Sequence, residues 1–510
     1  MHNREIAAAR EYHERTKHSP RSVRESRHFL DWENQPLLFK TYEDIEPAVL
    51  AEGAAVRQAA ALDALCRRSE PARLRPDAGD LGSLLQFSAG ITRRRRYAGG
   101  EMWFRAAANT GALYEIELYL ISTDVEGLRA GVYHYAPQDR GLRRLREGDF
   151  RGVLARATGQ EPALVEAPAT IVSTGTYWRN AWKYQARAYR HFGWDNGTLH
   201  ANLLAIANAR GIPARVVCGF CDDGVNRLLG LNTSREVALA LVPLGTGSPA
   251  PPPAEVAELA LRTRPLSKTE VDYPLMRAMH AASSLESPDE AALWRSAAVR
   301  PAPGVEPGGE VVPLVPPEPV PADAIEDVIL RRGSSRRFER TPISFGAFSA
   351  ILMGAGCALD ADFLQPDAML NEIYVIAHAV DGLRAGAYSY DRCAQQLEAL
   401  RYGDFRKEAA FLALDQDLAG DAAAALFFLA DLDSCLEPLG NRGYRAVQLE
   451  AGIRGGRAYL AAYALGLGAT GLTFYDDEVT RFFMPHAAGK SAIFLVAVGH
   501  PARRQLPPRV

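Results

Sequence analysis

The sequence lacks the features of membrane, secreted and nucleic-acid-binding proteins. Its longest apolar runs, such as the one that begins at Ala422, are far shorter than the roughly 20 residues needed to cross a bilayer. The N-terminal residues are polar and charged, without the apolar core of a signal peptide. A net charge of -3 and a pI near 6.4 leave no cationic excess for a polyanion. We therefore expect a cytoplasmic protein without nucleic-acid or membrane partners.

Cysteine is also scarce. Six cysteines in 510 residues do not make the disulfide framework of a small secreted domain. Cys218 and Cys221 have the spacing of a redox or zinc motif, but they stand alone in an apolar run, which favours a buried core. No metal site is predicted. The one basic block, from Arg93 to Arg96, is predicted to be a solvated loop.

What the sequence does contain is a repeat. The stretch that begins at Gly127 (GLRAGVYHY) aligns without a gap to the stretch that begins at Gly382 (GLRAGAYSY), with more than half of the positions identical. Further matches, such as those at Arg187 and Arg442, keep an offset of about 255 residues. This offset is far longer than a solenoid period, so it indicates duplication of a whole domain. We expect an internal pseudo-dimer.

A proline-rich seam separates the two copies. Residues 301–323 contain repeated prolines, which hold the backbone extended as a semi-rigid spacer, and a helical-looking stretch precedes them. We place the first domain at residues 1–250, the helical and proline-rich linker at 251–321 and the second domain at 322–510.

Both copies contain strand and helix patterns. Ile116, Leu118 and Leu120 alternate with polar residues, which predicts a half-buried strand. The stretch 197–213 has apolar residues at helical spacing and predicts a helix that ends at Gly211. Because strands and helices do not alternate strictly, the predicted class is α+β.

Two segments could hold a flat, phosphate-bearing ligand. Arg332, Ser334 and Arg336 combine two guanidinium groups with a hydroxyl, which suits a phosphate monoester, although such segments also occur as solvated linkers. The second segment is a turn of mostly small residues that leaves room for a ring against the backbone, or is only a tight turn. It comprises Ala108, Asn109, Thr110, Gly111 and Ala112.

A third feature is the adjacent pair Lys183 and Tyr184. Together with the two segments above, it makes the chain resemble the SagB-type, FMN-dependent dehydrogenases of the nitroreductase superfamily, in a tandem arrangement. The resemblance implies that Arg332, Ser334 and Arg336 bind the FMN phosphate and that the small-residue turn contacts the flavin ring. The turn keeps the family's Gly-Ala-Leu-Tyr sequence, whereas Asn109 and Glu115 depart from the family pattern.

The resemblance also assigns catalytic residues. Lys183 and Tyr184 match the Lys-Tyr pair of azoline-oxidising members, and Tyr184 could be the base if a neighbouring cation lowers its pKa. Neighbours on a helix point in different directions, so both can face the flavin only if the helix ends or bends there. The other expected cofactor-binding residues are Leu472, Thr473, Phe474, Arg503 and Arg504.

The two copies have lost complementary parts of this site. The first copy keeps the turn and the Lys-Tyr pair, but Pro71 replaces the last arginine of its phosphate motif. The second copy keeps the phosphate motif, whereas Pro438 and Leu439 align with the Lys-Tyr pair. In the resembled family the flavin lies between two subunits. We therefore predict one FMN per chain, at the seam between the halves.

The predicted function is that of an FMN-dependent oxidoreductase acting on a small-molecule or peptide-derived substrate. Azoline-to-azole oxidation, with oxygen as electron acceptor, is the best-known reaction of the resembled family. An NAD(P)H-dependent, nitroreductase-like reductase is one alternative; no G-x-G-x-x-G fingerprint opens a strand-to-helix unit, but nitroreductases do not need one. A non-catalytic flavin-binding scaffold in a peptide-modifying complex is the other.

Overall fold

The chain folds into two similar halves and a linker that packs against both. A computed structural model describes residues 2–50, 59–66, 75–97, 100–302 and 307–502. The helices are α1 (Ala7–Arg15), α2 (Pro20–Glu25), α3 (Ala61–Cys66), α4 (Ala78–Ala89), α5 (Arg151–Ala157), α6 (Pro162–Glu166), α7 (Tyr177–Tyr184), α8 (Ala188–Ala209), α9 (Asp222–Leu229), α10 (Pro274–Ala282), α11 (Pro288–Ser296), α12 (Ile325–Arg331), α13 (Phe345–Gly356), α14 (Arg406–Leu412), α15 (Asp417–Asp421), α16 (Leu432–Leu439), α17 (Arg442–Ala464) and α18 (Asp476–Phe482). The strands are β1 (Ala48–Val49), β2 (Ile91–Tyr97), β3 (Gly100–Arg105), β4 (Ile116–Ser122), β5 (Gly131–Ala136), β6 (Gly141–Glu147), β7 (Ala169–Thr176), β8 (Glu236–Leu244), β9 (Val311–Pro313), β10 (Phe338–Glu339), β11 (Glu372–Ala377), β12 (Gly386–Asp391), β13 (Gln396–Tyr402), β14 (Ala424–Ala430), β15 (Gly468–Leu472) and β16 (Ser491–Pro501).

Each half is built around an antiparallel sheet with the same central order. The order is β1-β6-β5-β4-β7-β8 in the first half and β9-β13-β12-β11-β14-β16 in the second, where β10 and β15 also pair with β16. The named strands pair antiparallel throughout. Antiparallel sheets covered by helices confirm the predicted α+β class and the duplication.

The two long helices α8 and α17 cross at the centre of the molecule. Gly197 and Gly452 are repeat counterparts, and a Cβ built on Gly197 would lie only 2.5 Å from the Cα of Gly452. A residue that contacts its own counterpart marks a two-fold axis, so the halves pack as a pseudo-dimer. As predicted, α8 ends just before Gly211, whose φ is +65°.

Strand β4 is buried on both faces, so the prediction of a half-buried strand is wrong. Leu118 packs into the main core, whereas Tyr119, on the opposite face, packs into a second apolar cluster formed with α5 and α9. Glu117 shares that opposite face and is buried there because the Arg179 guanidinium pairs with it at 2.6 Å. The alternation of apolar and polar residues in β4 therefore does not mark a solvated face, because the polar position Glu117 is buried in an ion pair.

The arginine block is also different from the prediction. It forms strand β2, which pairs with β3 in a hairpin, rather than a loop, although its side chains are exposed as expected. The Arg93 guanidinium stacks on the Phe104 ring at 4.7 Å, and that of Arg94 stacks on the Trp103 ring at 3.9 Å. Aromatic residues on the paired strand thus hold the arginines in extended backbone.

One disulfide, which the sequence analysis did not anticipate, links the halves: Cys66 ends α3 and Cys357 follows α13. Cys218 and Cys221 are buried free thiols, as predicted. Helices α10 and α11 lie in the stretch expected to be the linker. Within the described ranges, no helix combines the length and apolar character needed to span a bilayer.

Candidate active site

A cleft of about 2240 Å³ opens between the two halves, and both halves supply its walls. The second half contributes the phosphate segment, residues 331–337, and the first half contributes the small-residue turn. The phosphate segment contacts the residues that lead directly into this turn. Arg332 Nε donates to the carbonyl of Ala106 at 2.8 Å, and Arg332 Nη2 donates to that of Arg105 at 3.0 Å. The segments that sequence reasoning assigned to one site therefore do meet at the seam.

The polar side chains of the phosphate segment differ in whether they already have partners within the protein. Arg332 is buried and its guanidinium donates to three backbone carbonyls, so it braces the seam. Arg336 is exposed and has no carboxylate partner among the described residues. Ser334 makes a 3.4 Å contact with the Tyr459 hydroxyl, and the buried Ser335 hydroxyl has no partner in the described structure. Arg336 and the two serine hydroxyls remain available to an anion.

The small-residue turn lies directly against Tyr184. Gly111 has a φ of +67°, and a Cβ on it would lie 2.9 Å from the Tyr184 hydroxyl, so glycine permits both the bend and the close approach. Ala112 and Tyr114 also have positive φ angles, of 55° and 54°. Residues 108–112 all line the cleft.

The two departures from the resembled family belong to one hydrogen-bond network with Asp195 of α8. Asn109 Nδ2 donates to Glu115 Oε2 at 3.1 Å and to Asp195 Oδ2 at 3.0 Å. The backbone N–H and the hydroxyl of Thr110 also donate to Asp195, each at 2.9 Å. Burial, reinforced by the nearby Glu115 carboxylate, raises the pKa of Asp195 well above its usual value. The network fixes the turn on α8, and the raised pKa favours the protonated form of Asp195.

Both members of the Lys-Tyr pair line the cleft because α7 ends at Tyr184, where Gln185 takes a φ of +51°. A base role for Tyr184 requires that a neighbouring cation lower its pKa, and the lowering by Arg336 is outweighed here. Burial raises that pKa, and the carboxylates of Asp195 and Glu115 raise it further. Lys183 Nζ lies 5.3 Å from the centre of the Tyr184 ring, over its face. The raised pKa favours the neutral phenol of Tyr184, which can donate a hydrogen bond.

The end of β15 forms the wall opposite the turn. Leu472 and Thr473 line the cleft, and the buried Thr473 hydroxyl has no partner in the described structure. The Phe474 ring does not line the cleft, because it is buried against Trp194 at 6.0 Å between centroids, and a contact of Phe474 with the cofactor stays a prediction. Arg503 and Arg504 lie outside the described residues, as does Pro71 in the first-half counterpart of the phosphate motif.

Sequence reasoning missed one wall of the cleft, a face of α8. Its residues recur at helical spacing: His191, Trp194, Asp195 and Thr198. That spacing of polar and aromatic residues on a helix already predicted was the signal that could have found them. The His191 Nδ1–H donates to Asn180 Oδ1 at 2.7 Å, and Nε2 has no partner in the described structure. Burial, followed by Arg187, lowers the pKa of His191 well below 6.5, so its ring is neutral.

Reciprocal ion pairs join the halves beside α8 and α17. Each half places two arginines, one helical turn apart, on an aspartate of the other half. The pairs are Arg187 and Arg190 with Asp476, and Arg442 and Arg445 with Asp222, at 2.6–3.0 Å. The arginines are counterparts at an offset of 255 residues and the aspartates at 254. Such exchanged contacts are the signature of an isologous interface.

At the second seam, the chain's own carboxylate covers the backbone that matches the β15 wall. Cys218 and Gly219 correspond to Leu472 and Thr473. Their N–H groups donate to Asp362 at 2.9 and 2.7 Å. Burial raises the pKa of Asp362 to about 6. These backbone donors are therefore satisfied from within the chain.

Trp294, from linker helix α11, fills the space beside them. A Cβ on Gly219 would lie 2.9 Å from the Trp294 ring, and the indole N–H donates to the carbonyl of Leu439 at 2.7 Å. Gly219 and Leu439 are the counterparts of Thr473 and Tyr184, which border the open cleft of the first seam. The indole thus occupies the second-seam equivalent of the cleft.

The same duplication is found by comparison with protein families. The nitroreductase family profile matches residues 72–246 and 329–500, about two thirds of the chain. The chain belongs to the nitroreductase family. The protein is accordingly an oxidoreductase, and the two matches confirm the predicted tandem arrangement of its fold.

Three proteins illustrate the range of similarity. A solved structure from Anabaena variabilis, named as a nitroreductase, matches 97% of this chain and 99% of its own at 29% identity and a TM-score of 0.76, so it shares the two-half architecture. A Methanocaldococcus jannaschii protein named as nitroreductase MJ1384 is 27% identical over 177 residues, 35% of this chain and 82% of that protein. The microcin B17-processing protein McbC of Escherichia coli is 28% identical over 137 residues, 26% of this chain and half of that protein.

Proposed function

We propose that the protein is an FMN-dependent dehydrogenase or oxidase with one FMN at the seam between its halves. The observation that carries this proposal is the contact between the phosphate segment and the residues that lead directly into the small-residue turn. Arg332 of the second half donates to the carbonyl of Ala106 in the first, although 226 residues separate them. The resemblance assigned these segments to opposite ends of one cofactor, and they border one cleft.

The groups in this cleft suit FMN. A phosphate monoester carries about -1.5 to -2 charges, and Arg336 with the hydroxyls of Ser334 and Ser335 is free to bind it. A flavin ring needs a largely apolar slot with a few placed polar groups. The turn and the end of β15 provide backbone on two sides, and the Thr473 hydroxyl is an unused polar group. When bound, FMN would supply the hydride-accepting chemistry.

The chain's own residues would manage the proton that leaves with the hydride. Tyr184 stays neutral, so it can donate a hydrogen bond that orients the substrate. His191 is the better base: Asn180 holds its Nδ1–H, and the lone pair of Nε2 has no partner in the described structure. Its lowered pKa keeps the Nε2 lone pair unprotonated at neutral pH and also makes the ring a weaker base, so the assignment rests on the geometry. Lys183 places a cation over the Tyr184 ring, where it can hold a developing negative charge.

The filled second seam supports a single FMN per chain. There, Asp362 bonds to the backbone N–H groups that correspond to the β15 wall, and Trp294 occupies the space between Gly219 and Leu439. A second flavin would have to displace both side chains.

For the substrate we propose a small molecule or peptide-derived compound, with azoline-to-azole oxidation as the first reaction to assay and oxygen as acceptor. Similarity to a microcin B17-processing protein supports a peptide-derived substrate. The cleft volume of about 2240 Å³ exceeds the roughly 300–1,000 Å³ of an ordinary ligand pocket, so a second ligand has room beside FMN. We also propose that the protein works in the cytoplasm.

The decisive measurement is the absorption spectrum and flavin content of the purified chain. We expect a yellow protein with one FMN per chain that reoxidises in air after chemical reduction. Two flavins per chain would contradict the single-site proposal. A colourless chain that cannot be reconstituted with FMN would contradict the flavin proposal altogether. Rapid bleaching by NADPH would instead support a nitroreductase-like reductase.

The base is tested by His191→Phe, which keeps a flat ring, with Tyr184→Phe as its matched partner in the same cleft. We expect His191→Phe to retain FMN and to lower turnover by about 10²–10⁴-fold, and Tyr184→Phe to have the smaller effect. In the unmodified protein, turnover should fall as the pH decreases through the lowered pKa of His191. Unchanged turnover in His191→Phe, with full flavin content, would exclude His191 as the base.

A further inference from the structure

The β2–β3 hairpin presents two chemically different faces. Strand alternation divides the arginine block between them. The cleft face carries Arg93, Arg95, Met102 and Phe104, in the directly opposed pairs Arg93–Phe104 and Arg95–Met102. The opposite face carries Arg94, Arg96, Trp103 and Glu101, also as opposed pairs. On that opposite face the arginines already have partners, a stacked indole at 3.9 Å and a carboxylate at 3.4 Å.

The cleft carries more positive charge than its own residues neutralise. Among the described residues, six lining cations have no carboxylate partner: Arg93, Arg95, Lys183, Arg332, Arg336 and Arg337. The acidic side chains in the same wall are Asp195 and Glu339. The phosphate of one FMN neutralises at most about two charges. A cationic surplus in a low-dielectric cleft attracts a further anion.

The cleft face of the hairpin has the geometry of a binding surface. Phe104 supports the Arg93 guanidinium at 4.7 Å, and one Arg93 nitrogen lies 3.7 Å from the position a Cβ would take on Gly333, beside the phosphate segment. Arg95 follows about 6.6 Å further toward the hairpin tip. Met102, opposite Arg95, is 44% exposed. Two neighbouring cations, of which Arg93 is held by a ring, lie next to exposed apolar surface and suit an anionic group on an apolar or flat body.

We propose that this face binds a carboxylate or phosphate group of the second ligand, so that the substrate class of the enzyme is anionic. The substrate assignment rests on the proposed function, whereas the anion site itself does not. A substrate carboxylate or phosphate and the phosphates of a nicotinamide dinucleotide share this chemistry, and binding measurements with two probes separate them.

The test compares two double variants of the purified full chain. Arg93→Gln/Arg95→Gln removes the cleft-face cations, and Arg94→Gln/Arg96→Gln removes the same charge from the opposite face of the same strand. Calorimetry measures the affinity for citrate and for NADP⁺, and FMN content is determined in each sample. We expect at least one probe to bind about tenfold or more weakly to the cleft-face variant, because each lost charge-assisted hydrogen bond is worth roughly a factor of ten. The opposite-face variant should stay within about twofold of the unmodified chain.

Selective loss of citrate binding supports an anionic substrate, and loss of NADP⁺ binding supports a dinucleotide on the same face. An equal loss of probe affinity in both variants would overturn the proposal, since it would show that the net charge of the hairpin attracts the anions and that no specific binding site does. Binding of neither probe to the unmodified chain would also overturn it. The proposal would also be overturned if the cleft-face variant lost FMN yet bound both probes normally, because Arg93 would then belong to the FMN-binding site. A colourless unmodified chain contradicts the proposed function and leaves the citrate comparison valid.

Discussion

Replacing Trp294 by alanine tests whether the linker seals the second seam. The indole is 1% exposed, so its removal leaves a cavity in a close-packed region and takes away one of the two donors to the Leu439 carbonyl, the other being Asn3 Nδ2. Truncation of a buried tryptophan costs about 3–5 kcal/mol. We expect a loss of that size in the free energy of unfolding, measured with urea on the flavin-loaded chain. Added indole should fit the vacated space and restore part of the loss.

The control is Trp32→Ala, since Trp32 is 66% exposed and should change stability by less than about 1 kcal/mol. FMN content should remain at one per chain, because Asp362 still occupies the backbone donors of the second seam. A loss as small as that of the control would mean that Trp294 fills no cavity. An absence of any indole effect would mean that the site collapses rather than stays open. Either result would refute the account of the second seam.

Two further predictions concern the links between the halves. Asp222→Asn should reduce the free energy of unfolding by about 3–5 kcal/mol, because Arg442 and Arg445 lose their buried counter-charge. Burial alone would raise the pKa of Asp222, but the two arginines outweigh it and lower that pKa to about 2. This contribution, about 2 kcal/mol, is therefore complete above about pH 5 and is lost progressively as the pH falls from about 5 to about 1. Urea titrations should find this loss in the unmodified chain and not in the variant. Thiol titration of the denatured, unreduced chain should detect four thiols, and reduction of Cys66–Cys357 should expose two more. The reduction should lower the free energy of unfolding by about 2–4 kcal/mol. Six thiols before reduction would disprove the disulfide.

Most of the fold could be predicted from the sequence because the duplication is visible in it. The offset of about 255 residues places Gly197 against Gly452, and the pseudo-dimer follows from that pairing. Local patterns were less reliable where tertiary partners decide burial. Glu117 has the alternation of a solvated position, yet Arg179 makes its burial possible at 2.6 Å. No rule based on neighbours in sequence could supply that arginine.

The residues of the candidate site also fall into those that the sequence could predict and those that it could not. Segments that resemble family motifs, such as Arg332 and the turn at Gly111, could be assigned from sequence and do border the cleft. His191 has no such motif, and its role depends on Asn180 fixing the orientation of its ring. The direction of the Tyr184 pKa shift could not be predicted from the adjacent Lys183, because burial and the carboxyl groups that raise this pKa come from folding.

The filled seam indicates what a duplicated site requires once it stops binding a ligand. Loss of a bound cofactor would leave backbone N–H groups unsatisfied, at about 1–3 kcal/mol each, together with an empty slot. Asp362 satisfies two such groups, and Trp294 fills the space next to them. Both seams are needed for stability, because Asp222 pairs with arginines of the other half at the second seam. Asp476 of the second half pairs with Arg187 in the same way at the proposed cofactor cleft. Since each half completes the other's ion pairs, the second site can lose its ligand only if the chain provides a replacement.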